Sequence, residues 1–123
     1  MSDMRKRRGA TAYQAGRVAE DQVSRYYERS GHVIAARRWR GVGGEIDVIL
    51  QDGARTVFVE VKRGPTHAEA AMRLGARQIA RLFDCAAEYM GSLPDGQLSE
   101  VRFDLALVDG TGRIEVIENA LAA

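Results

Sequence analysis

The chain has 123 residues, of which 46% are hydrophobic and 28% charged; this suits one globular domain with one core and excludes a disordered or fibrous chain. No apolar run is long enough to cross a membrane, and the basic start "MSDMRKRRGA" is not followed by the apolar stretch of a secretory signal. The net charge of +1 is unevenly spread: residues 1–63 carry 13 bases and 8 acids, whereas residues 64–123 carry 5 and 9. A basic half rich in Arg predicts an anionic partner, and nucleic acid is the expected one. A single cysteine, Cys85, rules out an internal disulfide and suits a reducing cytoplasm, the expected location. In its apolar helical setting Cys85 reads as a core residue.

Residues 1–11 read as a basic, flexible tail and residues 12–123 as one domain. From 12 to 29, Ala12, Ala15, Val18, Ala19, Val23 and Tyr26 recur at helical spacing. Glu20 lies next to that stripe, sharing its side with Val23 and Tyr27. "HVIAARRW" (32–39) predicts a first strand, with Arg37, Arg38 and Arg40 around Trp39, and Arg63 further along the chain, as candidate nucleic-acid contacts. "RGVGG" (40–44) is a glycine-rich turn. Residues 45–51 and 54–62 predict two strands joined at Asp52-Gly53, a strong hairpin signal. Residues 66–90 read as a second amphipathic helix, with Thr66 and Glu69 matching a capping box and Gly75 either breaking it or marking its start. "VRFDLALV" (101–108) alternates as a strand, "DGTG" (109–112) turns, and residues 113–119 form a last short strand. The order is α-β-β-β-α-β-β, an α/β fold.

The hairpin carries the chemistry. With Asp52-Gly53 as its loop, Ile46, Val48, Leu50, Val57, Val59 and Val61 share an apolar face. The other face carries Glu45, Asp47, Ile49, Phe58, Glu60 and Lys62. In this register Asp47 lies opposite Phe58 and diagonal to Glu60, roughly 7 Å away. Two carboxylates so placed can share a hard divalent cation such as Mg²⁺, and Lys62 beside them can bind a phosphate oxygen. These parts suit metal-assisted phosphodiester hydrolysis. The plain alternative is an exposed Glu60–Lys62 ion pair with Asp47 incidental. The preceding Gly-Glu-Ile-Asp and the available Glu20 favour a site.

Taken together, "GRVAED", "ARRWR", "GGEIDVI", "VFVEVK", "RQIARL", "VRFDL" and "IENAL" resemble the YraN family of small bacterial proteins, within the PD-(D/E)xK nuclease superfamily. The similarity runs from about Gly16 to Ala120 and extends to the archaeal Holliday-junction resolvases. The resemblance implies a restriction-endonuclease-like core, a mixed sheet flanked by helices. It implies that Glu20 is the acid of the first helix, Asp47 the first metal acid, and Glu60 and Lys62 the E-x-K pair. Asp47 and Glu60 would be the metal ligands for Mg²⁺ or Mn²⁺. Gln78 stands where relatives often have Lys, and is expected to contact phosphate. Two residues depart from the pattern. Arg63 stands one place earlier than the usual V-K-x-R, so it is expected to point away from the site. Arg38 stands where relatives usually have Asn.

The expected activity is a divalent-metal-dependent DNA endonuclease acting on branched or damaged DNA, as a homodimer if both strands are cut symmetrically. The alternative is a nucleic-acid-binding or recombination accessory protein that keeps the fold without cleavage. A third reading, an adaptor in which the acids are a relic, predicts neither metal nor DNA binding.

Overall fold

The computed structural model describes the backbone of residues 2–121 and the side chains of residues 14–121. A first helix, α1 (Ser2–Arg29), precedes three strands, β1 (Val33–Arg40), β2 (Glu45–Asp52) and β3 (Arg55–Arg63). Two helices follow, α2 (His67–Met72) and α3 (Ala76–Met90), then a short 3₁₀ turn and strands β4 (Val101–Val108) and β5 (Ile114–Ile117). The five strands lie in one sheet in chain order. All neighbours are antiparallel except β3 and β4, which run parallel. A parallel pair needs a crossover, and α2 with α3 supplies it.

The mixed α/β architecture and the element order match the sequence reading, with two differences at the helices. The first helix begins at Ser2 rather than residue 12, because nothing between them breaks a helix more strongly than Gly9. The side chains of "RKRR" (5–8) lie outside the described residues. The second helix divides at Gly75, which takes an extended conformation and caps α3, while the Thr66 hydroxyl accepts from Glu69 N and caps α2.

Helices cover both faces of the sheet. On one, Ala19, Val23 and Tyr27 of α1 pack on Val48, Leu50, Val57, Val59, Ala106 and Val108. Tyr27, not Tyr26, enters this core, and Val18 stays 54% exposed, so the buried stripe is rotated from the one read in the sequence. On the other face, Leu82, Cys85, Ala86 and Met90 of α3 pack on Ile46, Ile49 and Phe58. Cys85 is a core residue, as expected. Burial on two faces makes the central strands nearly continuous apolar runs.

The β2–β3 hairpin turns at Gly53-Ala54 rather than Asp52-Gly53. Gly53 has φ 61° and takes the first turn position, where a two-residue hairpin accepts Gly, while Asp52 pairs with Arg55. Ile49 therefore lies opposite Phe58, and Asp47 does not. The pairing slips by two residues, so the faces survive. Ile46 is the exception: it joins the α3-side cluster instead of the Val48 face. The paired ladder between β2 and β3 ends at Val48 and Val59, and beyond it β2 rolls over while still following β1 through Trp39–Ile46.

Candidate active site

The strands fork where the ladder ends, and the acids sit in the fork. Asp47 Oδ2 accepts a 2.8 Å hydrogen bond from the Val61 backbone N–H, filling the gap that a strand carbonyl would otherwise occupy. Next to Val61, Glu60 is only 5% exposed. A pocket of about 150 Å³ is lined by Glu20 from α1, Asp47 from β2, Glu60 and Lys62 from β3, and Gln78 from α3. Opening of the ladder lets residues from both layers reach one space. The sequence reading named all five.

Electrostatics in the fork are unbalanced. Burial pushes the Glu60 carboxyl far above its ordinary range; its hydrogen bond to Asp47 and the Asp47 charge push the same way, against the pull of Lys62. The shift favours the protonated form of Glu60 beside Asp47. A charged acid next to a buried one disfavours a second charge there. Glu20 is also raised, first by burial and then by Asp47, against the hydrogen bond from Arg38.

Arg38 explains how Glu20 is held. Its Nε donates to Glu20 Oε2 at 2.6 Å, and its backbone lies in the left-handed region with φ 51°. That conformation interrupts the strand alternation, so consecutive residues Arg37 and Arg38 both reach α1, Arg37 pairing with Asp21. Asn tolerates such a backbone better than Arg does. Arg40 pairs with Glu45 at 3.4 Å and remains 81% exposed. Three of the four arginines read as nucleic-acid contacts, Arg37, Arg38 and Arg40, thus have an acid of their own chain, and Arg40 is the most available of these. Arg63 does not point away as expected. It lines the acid pocket beside Lys62.

A second recess of about 240 Å³ shares Asp47, Glu60 and Gln78 and is also lined by Arg81. Sequence reasoning missed Arg81. Its signal was helical spacing, since it lies one turn beyond Gln78 on the same side of α3. The turn before β2 is pinned by α3 as well: Val42 N donates to Glu88 Oε2 at 2.9 Å, and Gly44 has φ 151° with Cys85 Sγ within 3.5 Å of where a Cβ would lie. The entry to β2, and hence Asp47, is fixed by these contacts.

The donor set suits a hard cation. Asp47 and Glu60 offer carboxylate oxygens only, and the raised pKa of Glu60 marks a place where a positive charge would be stabilising. Among the described residues no group of three or more His, Cys, Asp or Glu is close enough to enclose a metal. Two carboxylates match a cation that keeps most of its ligands as water, as Mg²⁺ does, and do not match Zn²⁺.

Fold and fork together define a class, a mixed α/β domain with the half-buried Asp47 and the buried Glu60 at a strand fork, backed by Lys62. The comparisons with known proteins give the family. The model of the family described as "Uncharacterised protein family UPF0102" matches residues 19–108, and the chain belongs to that family. A UPF0102 protein of Cereibacter sphaeroides is 54% identical over 115 residues, covering 94% of this chain and 98% of the relative. Another, from Ruegeria pomeroyi, is 55% identical over 113 residues and covers 92% of each. One from Roseobacter denitrificans is 45% identical over 114 residues, covering 93% of this chain and 88% of the relative. No helix among the described residues is long and apolar enough to cross a membrane.

Proposed function

We propose that the protein is a divalent-cation-dependent DNA endonuclease of the PD-(D/E)xK, restriction-endonuclease-like superfamily, close to the YraN proteins, with branched or damaged DNA as substrate. The observation that carries this reading is the convergence of Asp47, Glu60 and Lys62 in one pocket at the fork. Asp47 and Glu60 would hold Mg²⁺ or Mn²⁺ once Glu60 is ionised. A cation there supplies an activated water and offsets charge on the scissile phosphate.

The chain's own groups do the rest. Lys62 neutralises a non-bridging phosphate oxygen as negative charge builds during attack. Gln78 offers its side-chain N–H to a second oxygen. Glu20, oriented by Arg38, faces the same space and is placed to accept a hydrogen bond from water. Arg63 and Arg81 extend the positive surface along the phosphate path. Cutting both strands of a duplex would take two copies of the chain.

Purified protein is to be incubated with Mn²⁺ or Mg²⁺ and linear, flapped and four-way-junction DNA, alongside Asp47→Asn. The expected result is metal-dependent cleavage by the wild type and none by the variant. Equal cleavage by both would remove the site assignment.

A second reading has an observation in its favour. The Glu20 carboxylate is engaged by Arg38, which leaves two acids for a cation. A protein with that arrangement could bind nucleic acid as a recombination accessory without cutting it. Salt-sensitive binding with no cleavage of any substrate in the panel would support that alternative.

A further inference from the structure

A larger opening lies beside the acid pocket, a groove of about 720 Å³ between α1 and the loops that follow β3 and β4. Ala15, Val18, Pro65 and Val108 form its apolar wall, and Arg63 and Arg73 supply two cations. Ala19 and Arg63 line both the groove and the acid pocket, so the two spaces adjoin. The wall is rigid: Gly64 N donates to Val108 O at 3.0 Å and Gly110 N to Pro65 O at 3.2 Å, tying the two loops together. Asp109 also lines the groove, but its Oδ1 accepts from Thr111 N, Thr111 Oγ1 and Arg113 N within its own turn, and its Oδ2 lies 3.8 Å from His67. Among the described residues neither Arg63 nor Arg73 takes part in an ion pair.

We infer that this groove seats one unpaired nucleoside of the strand whose phosphate lies at Asp47 and Glu60, an inference that rests on reading that pocket as a nucleic-acid site. The volume falls in the range of roughly 300–1,000 Å³ usual for pockets that enclose a small ligand. An apolar wall rewards a base or sugar face and gives nothing to a phosphate. The two guanidinia suit the phosphates on either side of that nucleoside. A fully paired duplex keeps its bases stacked and offers the groove only its backbone. The groove therefore selects DNA that is locally single-stranded next to the cut, which narrows the substrate to flapped, gapped or branched forms.

The test uses the full chain without metal. Anisotropy titrations compare a fluorescein-labelled single-stranded oligothymidylate with a fully paired duplex, for wild type, Ala15→Arg and Arg73→Glu. Circular dichroism confirms that the variants are folded. Wild type is expected to prefer the single strand. Each variant should weaken single-strand binding by about tenfold, the scale of one lost base contact. Ala15→Arg is decisive because it fills the groove while adding positive charge. A seated nucleoside predicts weaker binding, whereas attraction by charge alone predicts tighter binding. Single-strand binding by Ala15→Arg at or above the wild-type level would overturn the proposal, as would a wild type that prefers the duplex or binds neither DNA. Groove-dependent binding without cleavage keeps the groove and removes the enzymatic reading. Cleavage with groove-insensitive binding does the reverse.

Discussion

Neighbouring strands of this sheet each bury an acid, and the two acids differ in how they are satisfied. Asp104 of β4 is fully buried and collects four donors: Tyr27 Oη, Arg102 Nε and Arg102 Nη2 at 2.8 Å, and Asn119 N at 3.0 Å. Its charge is balanced by the buried Arg102, and the Tyr27 hydroxyl beside it is held protonated by burial first and then by the Asp104 charge. Glu60 of β3 is almost as buried but faces Asp47 and Glu20, two more acids, with Lys62 as its nearby cation. The first cluster ties α1, β4 and the C-terminal turn together. The second crowds three acids around one lysine in a pocket, which is the arrangement expected of a site rather than of a support.

Substitution should separate the two clusters. Asp104→Ala should destabilise the protein by about 3–5 kcal/mol, because it strands the buried Arg102. Chemical denaturation would measure it; a loss under about 1 kcal/mol, the scale of an exposed pair, would mean that the cluster is not a support. In the fork, Lys62→Ala should leave the fold intact and slow cleavage by about 10²–10³-fold, the usual scale for one electrostatic stabiliser. Single-turnover kinetics would read it, and wild-type rates would place Lys62 outside the chemistry.

Glu60→Gln should stabilise the metal-free protein by about 1–3 kcal/mol at neutral pH, since it removes a buried, poorly matched acid. The sign follows from the direction of the shift. The folded pKa lies above the ordinary value of 4.5, so the fold favours a proton that the unfolded chain releases. The stability linked to that proton is complete below 4.5 and declines as pH rises toward the folded pKa. The gap between Glu60→Gln and wild type should therefore widen from about pH 5 to pH 8 in thermal melts. A gap that narrows over this range would contradict the raised pKa of Glu60.

The smallest effect is expected at Arg38. Arg38→Asn leaves the buried Glu20 without its cation but places a residue suited to the left-handed backbone, and Glu20, already raised by burial, can take up a proton, so stability should fall by about 1 kcal/mol. The same variant frees Glu20, and metal affinity should rise. Lower metal affinity would show that Arg38 positions Glu20 instead of restraining it.

Local patterns made much of this legible. Alternation in the hairpin placed Glu60 and Lys62 together, and the apolar runs marked the central strands. The slip at Gly53 did no harm because a two-residue shift preserves parity. Other features depend on partners far away in sequence. Ile46 changes face because β2 parts from β3, which no local period encodes. "VRFDL" read as a strand, yet Asp104 in it carries the same warning as Asp47, an acid between apolar residues. Only the packing of α1 reveals that Tyr27 and Arg102 satisfy it. The left-handed backbone at Arg38 has no local signal in "RRWR", so its pairing with Glu20 could not be read there.

The central claim is the proposal that Asp47 and Glu60 hold a divalent cation. Calorimetric titration of Mn²⁺ into the wild type and Asp47→Asn at pH 8 tests it most directly. The account predicts one site per chain in the wild type, with proton release on binding, and loss of most of that affinity in the variant. Equal Mn²⁺ affinity in the two proteins, or no binding to the wild type, would contradict it.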